Sequence, residues 1–156
     1  MYQNKGDKNM SNWTHVAGVI RIDDLRFDNN TTPNFEKLIG KECLFNAPHE
    51  VWEDADNHPH NFLPMGGEGT LRKTVWINPN RDCVAAYVVT IFGDLRGHDD
   101  PNAIIRWFKG KIKEILETYW VRQATITADN EYNGSAEWSF DPEAELKDEN
   151  SNWCEI

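Results

Sequence analysis

"TLRKTVWINPNRDCVAAYVVTIFGDLRGHDDPNAIIRWFKGKIKEILETY" (70–119) decides the fold. "TLRKTVWIN" (70–78) and "CVAAYVVTIF" (83–92) are rich in β-branched and aromatic residues. They flank "PNRD", a run of turn-forming residues, so the spacing predicts a β-hairpin. "VVTIF" is almost continuous apolar sequence, which predicts a central strand buried on both faces. From 101 to 119 the period changes. Ile104, Ile105, Phe108, Ile112, Ile115, Leu116 and Tyr119 recur at helical spacing, with Arg106, Lys109 and Lys113 along the opposite edge.

Working outward, "SNWTHVAGVIRID" (11–23) reads as the first strand. Thr32-Pro33 reads as a helix start running into "NFEKLIG", with Gly40 as the stop. "NAPHEVWEDADNHPHNFLPMGGEG" (46–69) has three prolines and three glycines and reads as a long loop. "VRQATITAD" (121–129) and "GSAEWSF" (134–140) make a second hairpin at Asn133-Gly134. The order β-α-β-β-α-β with one more strand predicts an α+β fold. The specific expectation is a ferredoxin-like split βαβ, an antiparallel sheet with helices on one face and an additional C-terminal hairpin strand. A single domain is expected over 12–140, between a disordered N-terminus (1–11) and an acidic disordered tail (141–156).

With 156 residues, 39% of them hydrophobic, the chain is long enough for one real core. It has no stretch of about 20 apolar residues for a membrane span and no signal-like segment at its start, so a cytoplasmic location is expected. Cys43, Cys83 and Cys154 are an odd count, which argues against a disulfide framework, and they are scattered without the spacing of about four Cys or His ligands that zinc needs. Charge is uneven. Residues 1–128 carry 17 acids against 15 bases, whereas 129–156 carry nine acids against Lys147 alone, within a net charge of −10. Such a surface repels nucleic acid and suits a basic protein partner.

The chemistry-bearing residues gather in a few places. In "GDLRGHDDP" (93–101), Asp100 and Pro101 have sufficient reason as a helix cap and first helical residue. Asp94, Arg96 and His98 alternate and would face one way in an extended segment, as a grip for a phosphate-bearing ligand. Arg72 and Lys73 on the preceding hairpin would join them in a nucleotide site. "MGGEGT" (65–70) lacks the spacing of a phosphate-binding loop. "HEVWEDADNHPH" (49–60) concentrates acids and imidazoles without fixed ligand spacing and reads as an exposed acidic loop. Glu50, Trp52, Glu53, Asp54 and Asp56 within it, together with Glu131 and Glu137, are the candidate protein-binding residues. Neither a metal nor a cofactor is expected. Of seven tryptophans, most are assigned to core packing and one or two to an interface.

"NWTHVAGVIRID", "GEGTLRKTVWINPN", "VAAYVVTIFGDLRGHDDPNAIIRWFK" and "ITADNEYNG" resemble small proteins encoded by phages and prophages, over about residues 12–140. The resemblance implies a protein made in a bacterial host that binds and inhibits host machinery, including defence nucleases. It carries over no catalytic residue. Three readings follow. The first is a non-catalytic inhibitor with an acidic surface for a basic host protein, with no direct binding of nucleic acid or membrane and with homo-oligomerisation possible. The second is a binder of a nucleotide or small phosphate ligand. The third is a phosphoester-cleaving enzyme built on Asp94, His98 and the His58/His60 loop.

Overall fold

The computed structural model describes residues 11–25, 32–80 and 84–143. Five strands form one open antiparallel sheet: β1 (Trp13–Asp23), β2 (Arg72–Ile77), β3 (Ala85–Arg96), β4 (Trp120–Asn130) and β5 (Gly134–Phe140), in the order β2-β3-β1-β4-β5. The helices are α1 (Phe35–Leu38), α2 (His49–Asn57) and α3 (Pro101–Ile115), with a 3-10 turn at Pro59–Asn61. The fold is therefore α+β. Cys83, Trp153, Cys154, residues 1–10 and the tail from 144 onward lie outside the described residues.

Side chains alternate across a strand, so each strand has a covered and an open face. On β1, Val16, Ile20 and Ile22 are buried while His15, Ala17 and Arg21 are exposed. On β4, Ala124, Ile126 and Ala128 are buried while Gln123, Thr127 and Asp129 are exposed. The covered side meets the apolar stripe of α3, whose Ile104, Phe108, Ile112 and Ile115 are almost fully buried. The Phe108 ring stands edge-on to Trp138 of β5, 6.0 Å away, and Phe35 of α1 meets Tyr87 of β3 in the same manner at 5.3 Å.

Three expectations are corrected. The strand containing "VVTIF" is not buried on both faces: Tyr87, Val89, Ile91 and Leu95 are buried, but Phe92 is 44% exposed, and β1 is the middle strand. The helices lie on one side, and among the described residues nothing covers the other. Second, β3 runs on to Arg96, so Gly93 and Asp94 belong to a strand and the chain turns only at Gly97. Third, the long loop contains a helix. Pro48 precedes α2, whose Ala55 packs with Cys43 and Phe62 in a small second core, flanked by Val51 and Trp52. The apolar positions of α2 are few and small, which hid its period.

Candidate functional site

The open face can be written out row by row from the strand register. Trp76, Val88, Arg21 and Gln123 form one row, and Thr74, Thr90, Val19, Thr125 and Ser139 the next. Arg72, Phe92, Ala17, Thr127 and Glu137 follow, and then Asp94, His15, Asp129 and Ser135. The centre is small, apolar or hydroxyl-bearing, with Phe92 standing out of it. One end is acidic.

At the acidic end, the His15 ring lies between two carboxylates. Nδ1 donates to Asp94 at 2.6 Å and Nε2 to Glu131 at 3.0 Å. Ionised carboxylates only accept, so the two contacts are both hydrogen bonds when both ring nitrogens carry protons, and the arrangement favours the charged imidazole. The Asp94 and Glu131 hydrogen bonds raise the His15 pKa above its ordinary value. Glu131 also accepts from the backbone N–H of Trp13, and its own N–H donates to the Trp13 carbonyl. The pair of carboxylates thus joins β1, β3 and the β4–β5 turn.

Beneath this cluster Asn130, 2% exposed, organises the loops. Its amide donates to Thr14 Oγ1 at 2.9 Å and to the His98 carbonyl at 3.1 Å; its oxygen accepts from the N–H groups of Tyr132 and Asn133. Thr14 Oγ1 also donates to the His98 carbonyl. The imidazole Nδ1 of His98 is buried and meets no hydrogen-bond partner among the described residues.

The expected phosphate grip is not assembled. Asp94 and Arg96 do share a face, but Asp94 is engaged by His15 and Arg96 by Glu68 at 2.6 Å. His98 lies beyond the Gly97 turn, held through its carbonyl. Arg72 and Lys73 are neighbours in a strand, so they point to opposite faces. Arg72 Nε donates to Glu42, while Lys73 lines a covered-side hollow of about 400 Å³ with Glu36, Lys41, Glu42, Val51, Asp54 and Phe62. Asp100 caps α3 as expected, accepting from the Asn102 N–H at 3.0 Å. Partial burial works to raise its carboxyl pKa, but hydrogen bonds from Arg106 and the Asn102 backbone outweigh it and hold the value low. "MGGEGT" is a packing device. A Cβ on Gly66 would lie 2.4 Å from the Arg96 carbonyl oxygen, and one on Gly69, at φ +84°, 2.4 Å from that of Asp94.

The acidic candidates divide between the two sides of the sheet. Glu50, Glu53 and Asp56 are exposed on α2; Asp54 pairs with His58 at 3.1 Å and Lys41 at 3.8 Å, and Trp52 is half-buried. This helix lies on the covered side, near the β2 edge, where Val51 and Asp54 share the hollow with Lys73. Glu131 and Glu137 belong to the open side with Asp94 and Asp129. His58 and His60 are thereby separated from Asp94, and among the described residues no cluster of three or more His, Cys, Asp or Glu has metal-holding geometry. Burial, and then the charge of Asp56, push the Cys43 thiol pKa up. No described helix is long and apolar enough to cross a membrane.

Sequence reasoning missed His15, Asp129 and Asn130. His15 and Asp129 were visible only as positions on predicted strands, and Asn130 only as part of a turn; the partners of His15 and Asn130 come from up to 116 residues away in the sequence. No protein-family model, curated protein or solved structure matches this chain.

Proposed function

We propose that this is a non-catalytic binding protein that engages a basic protein partner with the open face of its sheet. One observation carries the reading: a face that no described residue covers, on which the exposed Phe92 stands in register between Arg72 and Ala17, with Asp94, Asp129, Glu131 and Glu137 toward one end. An exposed aromatic anchor with an arginine on one side and small side chains on the other, and with charged groups toward the margin, has the anatomy of a protein interface. The acidic rim and the net charge of −10 select basic partners and steer their approach. Nucleic-acid-binding proteins present such surfaces. In the finer reading the chain is a phage-encoded inhibitor of a bacterial host's defence protein, working in the host cytoplasm and imitating the charge of nucleic acid. The strand order β2-β3-β1-β4, with helices on one face, supports a ferredoxin-like arrangement to which β5 is added.

Affinity capture from bacterial lysate tests the proposal with three forms: wild type, Phe92→Ala, and the double variant Asp129→Lys/Glu137→Lys. The expected result is a basic protein retained by the wild type, released as salt rises from about 0.1 M and the Debye length shrinks, and lost with both variants. Equal retention by all three forms, or retention insensitive to salt, overturns it.

A further inference from the structure

Among the described residues, the β2 edge of the sheet holds a short, framed window of unpaired backbone. In an antiparallel ladder the N–H and C=O of one residue point to the same side, and the side alternates along the strand. The Asn78 N–H donates to Ala86 of β3 at 2.8 Å, so Thr74 and Trp76 also turn their backbone groups inward to β3. Lys73 turns outward, where its N–H donates to Glu42 Oε1 at 3.2 Å. Val75 and Ile77 therefore turn outward too, and no described residue meets them there. Glu42 closes the window at one end. Pro79, with no N–H to offer, closes it at the other.

Trp76 is at the middle of this window, 53% exposed, and Ile77 is 41% exposed. Native edges are usually blunted by charge, proline or a bulge. Here the blunting devices stand at both sides of "VWI" and leave it open.

We propose that the occupant is a second copy of this chain, paired antiparallel through β2 about a two-fold axis at Trp76. The window maps onto itself under that operation. Val75 of one copy exchanges hydrogen bonds with Ile77 of the other, and Ile77 with Val75. Trp76 meets Trp76 as a non-hydrogen-bonded pair, the position where facing side chains approach most closely and aromatic pairs stabilise best. Lys73 falls opposite Pro79 and Arg72 opposite Asn80, so no like charges oppose. The two sheets become one continuous sheet, and the face carrying Phe92 remains open. An isologous contact of this kind closes on itself and makes a dimer, not a fibre.

Sedimentation equilibrium of the purified full chain over a concentration series tests this. The wild type is expected to be a dimer that dissociates on dilution. Trp76→Glu, which places like charges on the axis, and Val75→Pro, which removes an outward N–H and trims a side chain at the edge of the core, should both be monomers, with unchanged far-ultraviolet circular dichroism as the check that each has folded. Phe92→Ala should stay dimeric, which separates this contact from the open-face reading. A wild type that is monomeric up to its solubility limit overturns the proposal without reference to any variant. So does a dimer that persists in both edge variants, because a partner copy would then be held elsewhere.

Discussion

His15 spans two carboxylates, and the consequence is a pH-dependent fastening. Its pKa is raised in the folded state, above an ordinary value of 6.5. A raised folded value means that the charged form binds its proton more tightly when folded than when unfolded. The extra stability is then fully present below about pH 6.5 and is lost as pH rises through the folded value. With the His15 and Asp94 side chains 46% and 64% exposed, solvent screening limits the contribution to below about 1 kcal/mol. His15→Gln, which keeps one hydrogen bond and loses the charge, should therefore unfold more easily than the wild type at about pH 5.5. The two should converge as pH rises through the folded value. Urea unfolding across a pH series checks this; a gap that widens with pH would show that His15 is neutral in the fold. Asp100 carries the opposite sign. Its lowered value adds stability above the unfolded carboxyl pKa, lost as pH falls through the folded one.

At the scale of the elements, two loops hold the acidic end of the sheet, and each depends on a residue with no substitute. Asn130→Ala removes the amide that ties the β4–β5 turn to Thr14 and His98, leaving the carbonyl of His98 short of one donor. A cost of about 2–3 kcal/mol is expected for such a buried network. Gly69→Ala, with a positive φ and the Asp94 carbonyl in the way, should cost about 1–3 kcal/mol. Thermal or denaturant unfolding of both variants measures these losses, and either being neutral would show the loop to be loosely docked. These two residues also mark where the sequence could be read. Strands and α3 were legible because periods of two and 3.6 are written by residues such as Ile104, Phe108, Val89 and Ile126 that face one core. Helix α2 was illegible: its buried residue, Ala55, is small, and Pro48, Pro59 and the acids around it mimic a loop. The glycines of "MGGEGT" were visible as a turn, but their cause is the backbone of β3, a segment more than 20 residues away. Asp100 and Pro101 were legible because capping is local. His15 and Asn130 were not, since their partners meet them only after the sheet has formed.

For the molecule as a whole, the sheet divides the described residues into a side that specifies the fold and a side that they leave uncovered. Neighbouring residues on β3 put that division to the test. Ile91 is 0% exposed within the main core; Phe92, next to it, is 44% exposed on the open face. Truncating Ile91 to Ala removes buried methylenes and leaves a cavity, for which about 2–5 kcal/mol is expected. Truncating Phe92 to Ala removes a ring that already contacts water, and its cost should stay within about 1 kcal/mol, the range of surface substitutions away from specific contacts. The larger side chain thus gives the smaller loss, contrary to what hydrophobicity alone would rank. Guanidinium unfolding of the two single variants, with the slope of the transition held as a control for two-state behaviour, decides it. If Phe92→Ala costs as much as Ile91→Ala, the face is covered in solution by the protein itself, and a partner cannot be reading it. If the loss falls on Ile91 alone, the exposed ring contributes little to the fold, as the proposed binding role requires of it.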